Sequence, residues 1–240
     1  MKRRNSWDRF AKDYDKKVSD SGDMYHKNYL NPLIFKLLGD IKNKKILDLA
    51  CGNGYFSRLL ADKHAIVTGV DYSKELISIA KNNTKIKFFV GSAENLSFLK
   101  NNSFDFIICN MSFHDIKNIS KTIEGCSKLL KKRAKLIFSI PHPVFSLSEF
   151  VEEKGKYSRK IIHYMSELTL DHPFYKGLKH YHRPIEYYTK LLFKNKFVIS
   201  NFYEITTKHD IKGKIEKNVR LLKHKREIPY FLIIEATSIK

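Results

Sequence analysis

The segment that decides the fold is Lys45–Ser57, with the sequence KILDLACGNGYFS. Its first part, residues 46–50, is a short apolar run; a glycine turn follows at residues 51–54, and a helical pattern begins at Tyr55. A buried strand, a glycine turn and a helix in this order are how an open parallel sheet presents its carboxyl edge to a nucleotide. Glycine suits such a turn because it accepts backbone angles that side chains forbid and lets the main chain approach a ligand closely.

An acidic residue at the end of the next predicted strand strengthens this interpretation. A second apolar run, residues 65–70, ends in Asp71, about 20 residues after Gly52, where an acid holds the ribose hydroxyls of a nucleotide. The dinucleotide-binding pattern would need a third glycine at position 57, where the chain has Ser57, and this argues against NAD. Asp48, which precedes the turn, suits a ligand with a cationic end.

The segments DLACGNGYFS (residues 48–57) and GVDYS (residues 69–73) resemble the first two motifs of class I S-adenosylmethionine-dependent methyltransferases. The resemblance implies an α/β, Rossmann-like seven-stranded sheet, mostly parallel with an antiparallel last strand, and helices on both faces. It also implies S-adenosyl-L-methionine as the cofactor and S-adenosyl-L-homocysteine as the product. The methyl group would pass to a small-molecule acceptor by in-line displacement. The alternatives are an RNA methyltransferase and a non-enzymatic relative that only binds the cofactor.

The resemblance assigns cofactor contacts to the first two strand tips. Asp48 would organise the amino end of the methionine part, which the backbone at Gly52 and Gly54 would approach. Asp71 would hold the ribose hydroxyls. The full predicted cofactor-binding set is Tyr14, Asp48, Ala50, Cys51, Gly52, Gly54, Asp71, Tyr72, Ser92, Ala93, Glu94, Asn110 and Met111.

The third and fourth predicted strand tips complete this cofactor site. Ser92 stands where the family usually has an acid, and Ala93 and Glu94 would flank the adenine. The backbone carbonyl of Asn110 would accept a hydrogen bond from the ammonium group. The sequence Asn-Met-Ser-Phe at this place lacks the prolines of the amino-methylating DNA enzymes. The chain also has no Pro-Cys pair, which a cytosine-C5 enzyme would need.

The composition limits the class of protein. With 240 residues and 42% apolar content, the chain can form one α/β domain with embellishments, or at most two small ones, with a substantial core. Its three cysteines, Cys51, Cys109 and Cys126, have no CxxC spacing, which predicts reduced thiols in a cytoplasmic protein. No apolar region follows the N-terminal MKRRNSW, so a signal peptide is not expected. The sequence contains no run of about 18 apolar residues, so a membrane span is not expected either.

The formal net charge of +20 has two interpretations. A polyanionic partner such as RNA is one, and a lysine-rich solvated surface is the other. The lysines are scattered from end to end, which favours the solvated surface. The densest basic run, Lys208–Arg226, is either a solvated segment or a contact for RNA or phosphate. Nucleic acid is therefore the less favoured partner, after a small-molecule methyl acceptor.

Residues 1–40 are expected to form a helical lid over residues 41–240, the predicted methyltransferase domain. Trp7, Phe10 and Tyr14 recur at helical spacing and form an apolar stripe. This helix either packs on the domain or places Tyr14 on the cofactor or substrate, and its start, WDRFAKDYD, is similar to the family's N-terminal helix over the site opening.

A long segment without a strong period, residues 144–183, is expected to be an inserted substrate cap. The segments FSIPHP, YHRPIEYY and IPYFLIIEA resemble the small-molecule, quinone-biosynthesis-like branch of the family. This resemblance makes Tyr181, His182 and Arg183 candidate substrate-binding residues, with Pro184 in the first turn of the next helix. No histidine pair with a carboxylate at ligand spacing stands out, so no catalytic metal is expected.

Two histidines follow directly after predicted core strands and are candidate general bases. His114 follows the fourth strand, while His142 follows the fifth, which is expected over residues 134–140 after a helix over residues 116–131. Both would lie at the rim of one cleft, and histidine titrates near neutral pH. The alternative is a structural role, in which His142 fills a turn held by its two flanking prolines.

Overall fold

The structure is a computed structural model that describes residues 6–82, 84–154, 156–208 and 219–240. Its strands include apolar, β-branched runs, which favour the extended conformation, as well as more polar segments. In chain order these are β1 (Lys45–Leu49), β2 (Ile66–Asp71), β3 (Lys87–Val90), β4 (Phe104–Asn110), β5 (Leu130–Pro141), β6 (Ser148–Glu153), β7 (Lys156–Ile161), β8 (Leu168–Asp171), β9 (Lys179–His182), β10 (Phe197–Ile205) and β11 (Phe231–Ser238).

Helices fill most of the connections. They are α1 (Ala11–Val18), α2 (Asn31–Leu38), α3 (Tyr55–Asp62), α4 (Lys74–Ala80), α5 (Ile119–Leu129), α6 (Pro143–Ser146), α7 (Ile185–Lys194) and α8 (Val219–Glu227). Short 3-10 helices cover Ser6–Phe10 and Phe113–Asp115, and a π-helical turn, His26–Leu30, precedes α2. Ser73 caps α4 as an N-cap residue should, since its hydroxyl accepts a hydrogen bond from the Leu76 amide at 3.1 Å.

Seven strands form the central sheet in the order β10-β11-β5-β4-β1-β2-β3. Strands β1 to β5 pair in parallel, and β11 runs antiparallel to both of its neighbours, β5 and β10. The Rossmann-like prediction is therefore confirmed, including the antiparallel last strand. Because the parallel strands end at one edge, the turns after β1, β2, β3 and β4 lie side by side.

Two hydrophobic cores cover the two faces of this sheet. Along β1 the side chains alternate, so that Leu47 and Leu49 join one core while Ile46 joins the other. The first core takes its helical partners from α5 and α7, and the second from α2 and α3. Helices therefore pack on both faces, as the resemblance implies.

Three element boundaries differ from the sequence-based expectation. Helix α5 ends at Leu129, and β5 begins at Leu130, four residues before the expected start. The fully buried Leu130 is already extended, and the left-handed Arg133 (φ 59°) accompanies a shift in register against β4. Pro184 is the N-cap of α7 and lies just before its first turn.

The segment expected to be a cap, residues 144–183, consists mainly of two antiparallel hairpins, β6–β7 and β8–β9. Apart from His180 and His182 in β9, their residues are mostly exposed or half-buried, so the sequence of this segment has no strong period. Residues 209–218, which hold much of the predicted basic run, lie outside the described residues. Within the described ranges, no helix combines the length and the apolar character that crossing a membrane requires.

Candidate functional site

The turn after β1 is built from left-handed backbone. Ala50, Gly52 and Gly54 have φ values of 57°, 56° and 75°. A side chain on Gly54 would place its Cβ atom 2.9 Å from Ala80 Cβ and 2.9 Å from Phe88 Cζ, so glycine is required there by both conformation and space. The strained, non-glycine Ala50 is the kind of backbone that clusters at functional sites.

Asp71 fastens this turn to the end of β2. Its Oδ2 atom accepts a hydrogen bond from the Gly52 amide at 2.9 Å, and its Oδ1 atom accepts one from the Ser73 amide at 2.8 Å. Burial raises the pKa of Asp71 above its usual value, while these amide hydrogen bonds oppose the shift. The carboxyl group is thus held rigidly at the mouth of the sheet.

A cavity of about 600 Å³ opens at this edge of the sheet. One side, which we call the sheet-edge wall, consists of residues from the strand tips and the helix that follows β2. They are Ala50, Gly52, Val70, Asp71, Tyr72, Leu76, Gly91, Ser92, Ala93, Glu94, Met111 and Ser112. The opposite side, the covering wall, consists of Trp7, Tyr14, Gly177, Leu178, Lys179 and Tyr181. Between the two walls, the turn after β4 contributes Asp115, Ile116 and Lys117.

Aromatic rings hold the covering wall together. The Trp7 ring lies 5.8 Å from Tyr14, 5.8 Å from His172 and 5.2 Å from Tyr175, measured between ring centroids. Phe10 adds a contact of 5.1 Å to Tyr175. The N-terminal helices and the β8–β9 hairpin therefore meet over the sheet edge, although they are distant in sequence.

Four of the predicted cofactor residues lie behind the cavity rather than on its surface. They are Asp48, Cys51, Gly54 and Asn110. The Asp48 carboxylate accepts a hydrogen bond of 2.6 Å from Ser57, and burial raises its pKa to about 7. Ser57, which stands where the dinucleotide pattern has glycine, therefore serves Asp48. The Asn110 side chain bonds Asn31, Tyr55 and Ser139, and its main-chain carbonyl accepts a hydrogen bond from Ser112.

The remaining nine predicted cofactor residues line the cavity. Of these, Ser92 uses its hydroxyl oxygen to accept a hydrogen bond from the Glu94 amide at 3.1 Å. The Glu94 carboxylate in turn accepts a hydrogen bond of 2.8 Å from the Asn118 amide, at the N-cap of α5. Met111, with φ 54°, repeats after β4 the left-handed conformation of Ala50 after β1.

His142 does not line the cavity. Its Nδ1 atom accepts a hydrogen bond from the Val144 amide at 3.2 Å, so its Nε2 atom carries the proton and lies 2.9 Å from Glu204 Oε1. Burial lowers the pKa of His142, and Glu204 opposes the shift. The structure thus gives His142 the geometry of the alternative role, an N-cap at a turn between prolines.

His114 is also absent from the cavity lining, but it belongs to a buried cluster at the cavity's edge. Its Nε2 atom lies 3.6 Å from Asp115 Oδ2, and His180 Nδ1 lies 3.8 Å from Asp115 Oδ1. Burial raises the pKa of Asp115 to about 8 and lowers those of His114 and His180, the latter to about 4. Sequence analysis missed this cluster because His180 is far from the other two along the chain.

Of the three predicted substrate residues, only Tyr181 lines the cavity. The Arg183 guanidinium donates hydrogen bonds to the backbone carbonyls of Phe113, Ile116 and Lys117, at 3.3, 2.8 and 2.8 Å. His182 donates from Nε2 to the Tyr164 carbonyl at 2.9 Å. Arg183 therefore positions the turn after β4, and His182 positions the cap segment at Tyr164. Ser112, Asp115 and Lys117 were not predicted, although they follow a strand tip just as Asp71 does.

Sequence comparison relates this chain to known proteins. Residues 40–218 match the family described as "Methyltransferase domain". The chain is 33% identical to a ubiquinone biosynthesis O-methyltransferase of Coxiella burnetii over 129 residues, 50% of this chain and 54% of that protein. It is 34% identical to a demethylmenaquinone methyltransferase of Thermotoga maritima over 107 residues, 43% and 46% of the two chains. The chain thus spans about half the length of the curated relatives it matches.

The fold has close counterparts among solved structures. An S-adenosylmethionine-dependent methyltransferase from Mesorhizobium loti superimposes with a TM-score of 0.74 at 22% identity, over 86% of this chain and 96% of the other. Another, from Clostridium acetobutylicum, has a TM-score of 0.62 at 20% identity, over 98% and 99% of the two chains.

Proposed function

Because the chain belongs to the methyltransferase domain family, we propose that it transfers the methyl group of S-adenosylmethionine to a hydroxyl group of a small-molecule acceptor. The observation that carries the proposal is the cavity of about 600 Å³ in which Asp71, the left-handed turn after β1 and the turn after β4 meet. Its volume falls within the roughly 300–1,000 Å³ of ordinary small-molecule sites.

The residues of the sheet-edge wall fit this cofactor. Asp71 uses each carboxylate oxygen for one amide hydrogen bond, which leaves lone pairs to accept hydrogen bonds from ribose hydroxyls. Gly52 and Ala50 bring main chain to the cavity surface beside it. Ser92, Ala93 and Glu94 would flank the adenine, since they line the cavity beyond β3.

Two further residues would act on the cofactor indirectly. Asp48 lies behind the turn, where it is buried and interacts electrostatically with Asp71. Its negative charge would attract the ammonium of the methionine part without touching it. Asn110 would present its main-chain carbonyl, with its side chain fixed by Asn31, Tyr55 and Ser139. Both roles are positioning roles.

The acceptor would lie against the turn after β4 and the covering wall. Ser112, Asp115 and Lys117 supply polar groups there, while Trp7 and Tyr181 supply rings that suit a flat molecule. The relatives named O-methyltransferases support a hydroxyl acceptor. The proposal does not use His142 as a base, because both ring nitrogens are engaged away from the cavity.

When bound, S-adenosylmethionine supplies an electrophilic methyl group on its sulfonium. The protein's own contribution is to align the acceptor oxygen with that group and to exclude water, which can lower the barrier by several kcal/mol.

The three cysteines are free and buried, which supports a cytoplasmic location.

Calorimetry with S-adenosylhomocysteine tests the cofactor site. We expect binding in the micromolar range, about −8 kcal/mol at 1 μM. Asp71→Ala should weaken binding by about 1–3 kcal/mol, because the ribose hydroxyls lose a charged acceptor. The control is Asp62→Ala, which removes an exposed carboxylate at the end of α3. No heat of binding in the wild type, or an unchanged affinity in a folded Asp71→Ala, would reject the assignment.

A further inference from the structure

We propose that His114, Asp115 and His180 together bind a divalent transition-metal ion of the Zn²⁺ type at the edge of the cavity. Each residue offers one ligand atom, and these atoms lie within 4.8 Å of one another. Among the described residues, these three form the one group of at least three histidine, cysteine or acidic side chains whose ligand atoms lie this close together. It forms because β9 packs on the 3-10 helix after β4.

The distances within the cluster fit ligands better than hydrogen-bond partners. The contacts of Asp115 with His114 and His180, at 3.6 and 3.8 Å, are longer than a hydrogen bond. Two ligands that each lie about 2.1 Å from a tetrahedral Zn²⁺ are separated by about 3.4 Å. Small side-chain movements would therefore bring the three ligand atoms onto one ion.

Two atoms of the cluster are buried without a hydrogen-bond partner. One is Oδ1 of Asp115, a candidate ligand atom, and the other is Nδ1 of His114, the ring nitrogen other than the Nε2 atom that lies near Asp115. Burying such atoms unpaired costs roughly 1–3 kcal/mol each. A bound cation would compensate the carboxylate, and neutral imidazoles are the form that binds metals.

The surroundings leave room for an exchangeable ligand. Arg183 carries a permanent charge nearby, and its guanidinium is turned to three backbone carbonyls of the turn after β4. Asp115 lines the cavity, so the side of the ion away from the protein ligands would face it. Two imidazoles with one carboxylate select a transition metal over Mg²⁺ or Ca²⁺, which prefer oxygen ligands.

The consequence for chemistry rests on the proposed methyl transfer. An acceptor hydroxyl that coordinates the ion would lose its proton to water, and the acceptor oxygen would carry the negative charge until it forms the new bond to the methyl carbon. The bond from that carbon to the sulfonium sulfur would break in the same step and leave its electron pair on the sulfur of S-adenosylhomocysteine. Coordination of the hydroxyl would remove the need for a histidine base, since a metal ion lowers the pKa of a bound oxygen.

Titration of the chelator-treated wild-type protein with Co²⁺ tests the metal site directly. A bound Co²⁺ ion absorbs visible light through d–d transitions, whose intensity reports coordination number. We expect one ion per chain, displaced by Zn²⁺, with the intensity of a four- or five-coordinate site. No such absorption, or only the weak spectrum of hydrated Co²⁺, would overturn the proposal and leave the cluster as three buried side chains without a metal ion.

Variants separate this site from adventitious histidine binding. His180→Asn and Asp115→Asn should each weaken Co²⁺ binding about tenfold or more. The control, His64→Asn, removes an exposed imidazole whose left-handed backbone (φ 61°) suits asparagine, and it should bind Co²⁺ as the wild type does. Binding lost in His64→Asn instead would overturn the proposal. The affinity for S-adenosylhomocysteine, measured on the same samples, shows independently whether the proposed function holds.

Discussion

The sheet-edge wall and the covering wall enclose the same cavity but are held by different forces. Main-chain hydrogen bonds fix the sheet edge: the Cys51 amide donates to the Val70 carbonyl at 3.0 Å, and Asp71 binds the Gly52 and Ser73 amides. The covering wall is held by ring contacts around Trp7, each worth about 0.5–1.5 kcal/mol. The first wall is therefore rigid through its own main chain, whereas the second is held to it by side-chain contacts, which include hydrogen bonds from Ser73 to Asp8 and from Asn53 to Asp15.

The rigid wall also carries an electrostatic cost that the covering wall lacks. Asp48 is buried behind the turn, and its pKa rises from 3.8 to about 7. Below about pH 4 the carboxyl is protonated in the folded and unfolded chains alike, and it costs nothing. Above about pH 7 it is ionised in both, and the folded state bears the full desolvation penalty. The free energy of unfolding therefore falls as pH rises through this interval.

Asp48→Asn should remove this dependence, and it is the largest effect we expect. Asparagine can still accept the Ser57 hydrogen bond but has no charge to bury. The variant should gain stability over the wild type between about pH 4 and pH 8, by up to about 4 kcal/mol. Urea unfolding across this range measures the difference, and taking a difference cancels the histidines. Asp62→Asn, an exposed carboxyl, is the control, and a gap that stays constant with pH would contradict the burial argument.

A series of glycines compares the packing of the two walls. Gly54, at the sheet edge, and Gly177, in the covering wall, are both left-handed, with φ values of 75° and 90°. Alanine at Gly54 would meet Ala80 and Phe88 at 2.9 Å, whereas at Gly177 it would meet only the flexible end of Arg9, at 3.2 Å. Overpacking should therefore add to the backbone strain only at Gly54.

Unfolding free energies of the alanine variants check this expectation. Gly54→Ala should cost about 3 kcal/mol and Gly177→Ala about 1 kcal/mol. Gly39→Ala supplies the strain alone, since Gly39 has φ 63° and a Cβ atom added there would have nothing within 4 Å. Equal losses at all three positions would mean that strain, and not the packing of the sheet edge, limits the turn.

The same contrast explains what the sequence could predict. Strand β1, its glycine turn, α3 and Asp71 follow from local spacing, because a βαβ unit brings these residues together by its own geometry. The spacing could not show that Asp48 lies behind the turn, since this depends on its hydrogen bond with Ser57 on α3. Local spacing thus located the strand tips correctly, but it did not determine which way the individual side chains point.

Contacts between distant segments were the least predictable part of the site. Trp7 meets His172 and Tyr175 only because two surface segments fold over the same edge. His180 reaches Asp115 for the same reason. No periodicity predicts such pairings, because β8 has no buried residue and the buried face of β9 consists of only His180 and His182.

The smallest effect should come from loosening the covering wall. Tyr175 packs against Trp7, Phe10 and His172 but does not line the cavity. Tyr175→Leu should weaken the docking of the N-terminal helices by about 1 kcal/mol, which corresponds to roughly fivefold faster amide exchange in residues 11–18. Affinity for S-adenosylhomocysteine should stay within about threefold of the wild type, because the sheet-edge wall is intact.

Tyr175→Phe keeps the ring and should behave as the wild type in both measurements. If Tyr175→Leu left exchange unchanged but weakened cofactor binding strongly, the covering wall would be part of the rigid cofactor site, and the distinction between the two walls would fail.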